Sequence, residues 1–293
     1  MSAPWRTVRV TADMPARLDA LLRTLLPTIS RRLVRAFVAD GSVRVNGRRA
    51  SKGSRVVEGD LVEIPVVDGL VPEPDLPLVV LHEDADIIAI DKPGGVPGHA
   101  LDPRERGSIA GALLARHPEL ASVGDPLSAG LVHRLDTGTS GVLVGARTPE
   151  AYRALREAFR RREVTKYYLA IVEGQPSPGT IIDTPLAHDP SDRRRMRAAR
   201  RDDRAWPART EITHVESQGG LTLVGLTLCT GVTHQARAHL ALLGHPVVGD
   251  LLYGGSPLLS TGRHALHAQR LDLAARGLRI ESPLPADLRA LLA

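Results

Sequence analysis

The sequence predicts an α+β protein whose large C-terminal part is a mixed or antiparallel sheet flanked by helices, preceded by a small N-terminal α/β unit. Two observations support this prediction. A proline-rich break separates the two parts, and after it strand-like runs dominate without the regular βαβ alternation of a doubly wound fold. The strand-like runs lie within 77–100, 163–174, 220–240 and 263–273, and helices are expected at about 149–161 and 232–243.

The proline-rich break is the stretch VVDGLVPEPDLPL at 66–78. Proline has no backbone N–H and a fixed φ, so this stretch cannot form a regular helix or an inner strand. We therefore expect an N-terminal unit at 1–67, a linker at 68–78 and a C-terminal unit at 79–293.

Two short helices and a hairpin are expected in the N-terminal unit. Four leucines fall at helical spacing behind a predicted N-cap at Asp13, and Ser30 then begins a second helix. The segment after it alternates like a strand and contains Asn46-Gly47, a preferred pair for a two-residue hairpin turn. The inward residues are Leu18, Leu21, Leu22 and Leu25 in the first helix, and Leu33, Val34, Phe37 and Val38 in the second.

Basic residues collect on the second helix and on the hairpin. The pattern, carried by RLDALL and SRRLVRAFVADGSVRVNGR, resembles the alpha-L RNA-binding domain first seen in a small-subunit ribosomal protein. The resemblance implies that this unit meets an RNA backbone through charge and shape, and a solvated helix face without a partner is the alternative. The residues expected to contact RNA are Arg31, Arg32, Arg35, Arg48, Arg49 and Lys52.

Charge and cysteine content restrict the class of protein. The chain has 38 Lys and Arg against 33 Asp and Glu, and its lysines are Lys52, Lys92 and Lys166. Arginine favours planar, bidentate contact with phosphate, which fits a nucleic-acid partner, although ordinary surface composition gives the same excess. The single Cys229 excludes a disulfide framework and a cysteine zinc site. Without a signal peptide or a membrane-length apolar run, a soluble cytoplasmic protein is expected.

The stretch LVHRLDTGTSGVLVGART at 131–148 places His133, Arg134 and Asp136 directly before a strand that reads as buried. Polar groups beside a buried strand are costly unless they are satisfied or used. The G-x-S-x-G pattern of serine hydrolases is not met around Ser140, and the lysine of a phosphate-binding loop is missing. Neither serine hydrolysis nor nucleotide binding by such a loop is therefore favoured.

A zinc site and a glycosidase site are also disfavoured. His234 and His239 would have to bind one metal, yet residues five apart on a helix project about 140° apart. A glycosidase needs a second carboxylate near Asp136, and the motif contains none. One carboxylate with basic and aromatic helpers remains.

The order of motifs resembles that of the RluA-type pseudouridine synthases over nearly the whole chain. HRLDTGTSGVLV looks like their H-R-L-D signature, and it is flanked in family order by DKPGGVPGHA, TKYYLAIVEG, HDPSDRRRM, TGVTHQARAHLALLGHPVVGDLLYG and LHAQRLDL. The resemblance implies a catalytic domain of the pseudouridine synthase type and isomerisation of uridine to pseudouridine in RNA, without a cofactor or a metal. It also implies Asp136 as the catalytic aspartate, Tyr168 as the active-site tyrosine and Arg237 as the aspartate's basic partner.

These residue types suit a reaction in which uracil leaves its ribose, turns and rejoins through carbon. An ionised carboxylate can attack the sugar or the base, or take a sugar proton, and an adjacent guanidinium keeps it ionised. An aromatic ring can stack on the detached uracil, and its hydroxyl can take part in proton transfer. The sequence leaves the choice among the three routes open.

Several other polar residues carry expectations of their own. Arg134 is expected to occupy the stack that an everted base vacates. Arg194, in the basic run 193–201, is expected to follow phosphates, and a solvated loop is the alternative. We expect His133 to be a structural hydrogen-bonding residue, Lys92 to shape the glycine-rich loop after it, and Tyr167 to pack on the strand face opposite Tyr168.

The chain departs from the family pattern after the aspartate. Thr137 and Gly138 stand where a basic and then an acidic residue are usual, and Val232 stands where an arginine is usual. These departures motivate a second hypothesis, a non-catalytic RNA-binding or ribosome-assembly protein that keeps the fold. In both cases the expected partner is RNA, with large-subunit ribosomal RNA favoured over transfer RNA by the two-domain layout, and a monomer is the simpler expectation.

Overall fold

The computed structural model describes residues 5–26, 29, 31–51, 53–66, 69–103, 105–218, 220–257 and 262–293, without the side chains of Arg31, Arg32 and Gln218. Within these residues one sheet forms before residue 66 and a larger one after residue 78, and a two-stranded hairpin is separate from both. None of the described helices has the length and apolar content that crossing a membrane requires.

The N-terminal part packs two helices against a small antiparallel sheet. Its elements are β1 (Trp5–Arg9), α1 (Leu18–Leu25), α2 (Arg31–Ala39), β2 (Arg44–Val45), β3 (Arg48–Arg49) and β4 (Leu61–Pro65). The strand order is β1, β4, β2, β3, and each neighbouring pair is antiparallel. Leu21, Leu22 and Phe37 are at most 2 % exposed, so the two helices and their inward faces are confirmed.

The ends of these elements test two local predictions. Asn46 and Gly47 both have positive φ, 50° and 75°, which confirms the hairpin turn, since such turns need left-handed backbone at both positions. The predicted cap at Asp13 is wrong. Asp13 accepts a hydrogen bond from the Thr11 hydroxyl at 2.6 Å, and Arg17 occupies the N-cap position of α1 with extended backbone. Helix α1 therefore begins five residues after Asp13, at Leu18.

The large sheet has nine strands: β5 (Val79–Glu83), β6 (Ile87–Lys92), β7 (Ser140–Ala146), β8 (Val164–Glu173), β9 (Ile181–Asp183), β12 (Arg209–Gln218), β13 (Leu221–Leu228), β14 (Leu266–Leu273) and β15 (Leu278–Glu281). Their order is β5, β6, β7, β14, β8, β13, β12, β9, with β15 paired to β14. Among the described strands, β7 and β14 pair in parallel and the other neighbouring pairs of this sheet are antiparallel, so the predicted mixed sheet is confirmed. The separate hairpin consists of β10 (Leu186–His188) and β11 (Met196–Ala198).

Helices stand between these strands. They are α3 (Ile109–Arg116), α4 (Pro149–Arg161), α5 (Gln235–Leu242) and α6 (Ala286–Arg289), with short 3-10 turns at Pro118–Ser122, Ala274–Arg276 and Ala290–Leu292. Helix α4 matches its prediction because Thr148 caps it, accepting a hydrogen bond from Ala151 N at 3.1 Å, and Pro149 follows as the first helical residue. Helix α5 begins at Gln235, three residues later than predicted.

The segment before the large sheet lies against helix α3. Leu70 is buried in the same apolar cluster as β6 and β7. The Glu73 carboxylate accepts hydrogen bonds from Gly107 N and Ser108 N, and Glu73 N donates to Gly111 O at 2.9 Å. The proline-rich segment is thus fastened to the start of α3 through Glu73.

Strand β7 is the most deeply buried strand of the sheet and follows directly on the Asp136 turn. All seven of its residues are buried, between Ile87–Lys92 on one side and β14 on the other. Gly141 has φ 110°, and a Cβ placed there would lie 2.2 Å from Ala268 O. The glycine after Ser140 is therefore required, because only glycine lets the two parallel strands approach this closely.

Replacing Gly141 with alanine should lower the free energy of unfolding by about 3 kcal/mol or more, from backbone strain and overpacking. Gly145→Ala on the same strand is the matched control, since its Cβ would meet its nearest neighbours at 3.5 Å, an ordinary contact. Urea unfolding of both variants measures the difference. Equal stabilities would contradict the close-approach explanation.

A candidate active-site cleft beside the Asp136 turn

An open cleft with a volume of about 1000 Å³ lies where the 131–139 segment meets the large sheet and the start of α5. Strand β8 contributes Tyr168 to its wall, and the end of β13 leads through a short turn into α5. All three residues predicted to be catalytic line this cleft: Asp136, Tyr168 and Arg237.

Asp136 and Arg237 are in direct contact although they lie 101 residues apart in the chain. Arg237 Nη1 donates to Asp136 Oδ2 at 3.0 Å, and the two side chains are 7 % and 17 % exposed, respectively. Burial raises the pKa of Asp136, but His234 and Arg237 lower it by more, so its pKa lies below the ordinary value. The carboxylate is therefore ionised at neutral pH, beside an opening to the cleft.

Arg237 is held by a second carboxylate that sequence reasoning missed. Its Nε and Nη2 donate to the two oxygens of Asp250 at 2.6 and 2.8 Å, and the Tyr253 ring lies 5.2 Å from its guanidinium carbon. Burial lowers the pKa of Arg237, but the bonds and charge of Asp250 raise it by more. The sequence did contain a signal for Asp250, because an acidic residue within the apolar stretch HPVVGDLLYG is expected to be buried and a buried acid needs a charged partner.

Tyr168 is half-buried on β8, opposite Leu226 of β13. Burial raises the pKa of its hydroxyl, and the charge of Asp136 raises it further. The hydroxyl is therefore protonated, and the ring offers the cleft a neutral stacking face with one donor. Its neighbour Tyr167 packs elsewhere, as predicted, because the Arg270 guanidinium lies over that ring at 3.6 Å.

Lys92 joins the glycine-rich loop to the turn after Asp136. Its ammonium group is fully buried and donates to the carbonyl oxygens of Pro93, Val96 and Thr137 at 2.8, 2.6 and 3.0 Å. Burial lowers the pKa of Lys92 to about 7. Thr137 O also accepts from Gly95 N at 2.8 Å, so the predicted loop-shaping role of Lys92 is confirmed.

The departure at Gly138 has a packing partner. A Cβ at Gly138 would lie 2.7 Å from the ring of His264, and that ring is hydrogen-bonded through Nε2 to the Thr139 hydroxyl at 2.8 Å. Burial lowers the pKa of His264 to about 4, so the ring is neutral. The small residue at 138 thus leaves room for a histidine beside the Asp136 turn.

His133 is a structural residue, as predicted. Its Nε2 accepts a hydrogen bond from Val144 N at 3.0 Å, and its ring stacks on Phe159 with centroids 4.8 Å apart. Burial lowers the pKa of His133 to about 3, so it remains an uncharged acceptor. It fastens the 131–136 segment to strand β7.

The predicted RNA-contacting residues lie on several surfaces. Arg134 is exposed and lines the cleft, and Arg35 and Arg48 are exposed on the N-terminal part. Arg194 is exposed but paired with Asp192, its Nη2 lying 2.8 Å from Oδ2. Lys52 and the side chains of Arg31 and Arg32 lie outside the described residues.

The two histidines considered for zinc are directed to different partners. His239 is buried and bonded to the Thr210 hydroxyl and to Thr184 O, whereas His234 faces Asp136. Over the residues that the structure describes, no group of three or more His, Cys, Asp or Glu side chains is arranged to hold a metal ion.

Replacing Asp250 with asparagine should cost about 3 kcal/mol of unfolding free energy, because the buried guanidinium of Arg237 loses its bidentate carboxylate. Asp192→Asn, which removes the carboxylate of an exposed Arg pair, is the control and should change stability little. Thermal and urea unfolding compare the variants. A stable Asp250→Asn protein would show that Arg237 does not depend on this partner.

Comparison with known families and proteins gives one consistent result. Residues 86–242 match the family described as RNA pseudouridylate synthase, and residues 16–62 match the S4 domain. The chain is 37% identical to the ribosomal large subunit pseudouridine synthase D of Xanthomonas campestris, over 94% of this chain and 88% of that protein. It is 41% identical to an uncharacterized RNA pseudouridine synthase of Chloroflexus aurantiacus, over 100% and 94%.

Solved structures agree with this result. The structure of human RNA pseudouridylate synthase domain containing 4 superimposes with a TM-score of 0.58 at 29% identity, covering 72% of this chain and 90% of that one. Human RNA pseudouridylate synthase domain containing 1 gives a TM-score of 0.57 at 26% identity.

Proposed function

Because the chain belongs to the RNA pseudouridylate synthase family, in its RluA-type branch with an N-terminal S4 domain, we propose that it converts uridines of large-subunit ribosomal RNA to pseudouridines with Asp136 as its catalytic carboxylate. The observation that carries this assignment is the 3.0 Å bond from Arg237 to Asp136 at an open cleft that Tyr168 also lines. The ribosomal target follows the printed names of the relatives in Xanthomonas campestris and Yersinia pestis.

The three residues divide the chemistry between them. The reaction breaks the bond from uracil N1 to the ribose and forms one from C5, so a proton leaves C5 and N1 gains one. Asp136 is the ionised group that acts on the ribose or the base, and Arg237 keeps it charged and oriented. Tyr168, neutral and facing the cleft, stacks on the detached uracil while it turns. No step in this scheme needs a cofactor.

The basic surfaces bring the RNA to the cleft. Arg35 and Arg48, with Arg31, Arg32 and Lys52, form the proposed RNA-binding set of the 1–67 unit, and the 79–293 unit carries the chemistry behind the 68–78 linker. Arg194 joins this set if a phosphate displaces Asp192. Asp136, Tyr168 and Arg237 come from one chain, so we propose that a monomer holds a complete site, acting in the cytoplasm where ribosomal RNA is found.

The non-catalytic alternative has no support among the relatives, and the local geometry does not favour it. The Asp136–Arg237 contact is intact beside Thr137 and Gly138, and the space at Gly138 is used by His264. Transfer RNA is the second candidate substrate class, and mapping of modified positions distinguishes it from ribosomal RNA.

Asp136→Asn should lower turnover by a factor on the order of 10³ or more while RNA binding is retained, because the amide cannot act as nucleophile or base. Pseudouridine mapping on ribosomal and transfer RNA from cells lacking the protein measures this. Glu150→Gln, on the exposed face of α4, is the matched control and should be fully active. An inactive wild-type protein that binds RNA tightly would reject the proposed function.

Arg134 is proposed to fill the stack when the target base is everted. Arg134→Ala should therefore lower kcat/KM on a folded RNA by about tenfold or more, since unstacking costs a few kcal/mol. On a short single-stranded oligonucleotide with the same target uridine the loss should be much smaller. Equal losses on both substrates would assign Arg134 to general RNA binding.

A further inference from the structure

His234 has a backbone conformation that is unfavourable for a residue with a side chain. It is the N-cap residue of α5, with φ 55° and ψ 19°, a left-handed conformation that non-glycine residues rarely adopt. Its side chain makes no capping hydrogen bond, although satisfying the helix N–H groups is the usual task of an N-cap side chain. Strained positions of this kind occur most often at functional sites, and here the imidazole is turned towards Asp136.

The two ring nitrogens of His234 face different groups. Nε2 lies 3.9 Å from Asp136 Oδ2, and Nδ1 lies 3.1 Å from the hydroxyl oxygen of Tyr253. Tyr253 is 8 % exposed, and its ring stands edge-on to the imidazole, with centroids 5.7 Å apart. One nitrogen thus has a buried partner, and the other faces the cleft.

The hydrogen bonds of the Tyr253 hydroxyl favour one tautomer of the His234 imidazole. Its oxygen accepts a hydrogen bond from Met196 N at 2.8 Å, and a backbone N–H can only donate. The single hydroxyl proton is then available to His234 Nδ1, and a ring that accepts it has an unprotonated Nδ1. A neutral imidazole in this arrangement carries its proton on Nε2.

The charges around His234 favour the neutral ring. Asp136 and Arg134 face it from the 131–136 segment, and Arg237 faces it from α5. Asp250, in the turn after α5, and His264, in the segment before β14, also face it. Burial lowers the pKa of His234, and Arg237 and Arg134 lower it further, against the opposing effect of Asp136 and Asp250. At neutral pH the group facing the cleft is an uncharged N–H.

The gap between His234 and Asp136 is suited to a substrate atom. At 3.9 Å it is too long for a hydrogen bond between the two side chains. Asp136 is also already bonded by Arg237. The Nε2–H group therefore remains available beside the one carboxylate that acts on the nucleoside.

We propose that His234 is a further catalytic residue, whose Nε2–H donates to an oxygen of the nucleoside bound at Asp136, and that Tyr253 is a positioning residue that fixes this tautomer. The acceptor is a uracil carbonyl or a ribose hydroxyl. This inference rests on the proposed function, since it needs a nucleoside at Asp136. A neutral donor serves better there than an imidazolium, which would compete with the substrate for the carboxylate.

The first test determines the tautomer of His234 by NMR and does not require an activity measurement. Imidazole nitrogen shifts from two-dimensional ¹⁵N–¹H spectra distinguish protonation at Nε2 from protonation at Nδ1, and the His234→Asn spectrum identifies the signal among the 11 histidines. The expected result is an Nε2–H form in the wild-type protein that is lost or mixed in Tyr253→Phe. An Nδ1–H form in the wild type, or an unchanged tautomer in Tyr253→Phe, would overturn the assignment.

The second test separates turnover from binding. His234→Ala should lower kcat by a factor on the order of 10² and leave KM nearly unchanged. His234→Asn should recover part of this loss, because asparagine tolerates left-handed backbone and carries an N–H donor. Tyr253→Phe, which keeps the ring over Arg237, should lower kcat by about tenfold. Wild-type kcat in His234→Ala, or a loss confined to KM, would overturn the proposal.

A modified RNA substrate identifies the oxygen that accepts the hydrogen bond from His234. If a ribose hydroxyl accepts, wild type and His234→Ala should turn over an RNA with a single 2′-deoxyuridine at the target equally fast, whereas with a uracil carbonyl as acceptor the difference in kcat remains. The outcomes also separate this inference from the proposed function. Wild-type protein that forms no pseudouridine rejects the function, while active wild type with fully active variants rejects only the role of His234 and Tyr253.

Discussion

The site depends on one buried guanidinium shared between two carboxylates. Arg237 gives two hydrogen bonds to Asp250 and one to Asp136, and both the arginine and Asp250 are almost wholly removed from water. A buried cation is tolerated only when paired and fully bonded, so the three side chains constrain one another. Because Asp250 takes the Nε side of the guanidinium, Nη1 is directed at Asp136, and the carboxylate has a fixed position at the cleft.

The sheet makes this contact between distant segments achievable. Strand β7 follows the Asp136 turn, and its parallel pairing with β14 depends on Gly141, where no side chain fits. Strand β14 also pairs with β8, which carries Tyr168, and β8 pairs with β13, which leads to α5 and Arg237. Four neighbouring strands thus set the distances within the site. His133 and Lys92 then fix the turn itself through backbone hydrogen bonds.

The sequence predicted the residues of the site better than their contacts. Asp136, Tyr168 and Arg237 stand in motifs whose order is recognisable, and the cleft contains all three. Tyr253 and His234 carry no local signal of their roles, and the apolar surroundings of Asp250 indicate a charged partner without identifying it, because these partners are set by tertiary packing. The same reason explains the missed strand β1, whose partner β4 lies more than fifty residues away. The wrong cap at Asp13 has a local cause, since its carboxylate accepts from the Thr11 hydroxyl instead. Hairpin and helix ends with local rules, such as the Asn46-Gly47 turn and the start of α4 at Pro149, were predicted correctly.

The distribution of charge in the cleft follows from burial. Arg237 and Asp250 neutralise each other, and burial favours the uncharged forms of Tyr168, His234 and His264. Asp136 is ionised and reachable from the cleft, and these neutral groups lie beside it. A neutral nucleoside placed at Asp136 would have the neutral Tyr168 and His234 beside it, while the cations Arg134 and Lys166 line the same cleft. Under the proposed function, Asp136 acts on ribose or base while the neutral groups beside it contact the detached uracil through hydrogen bonds and stacking.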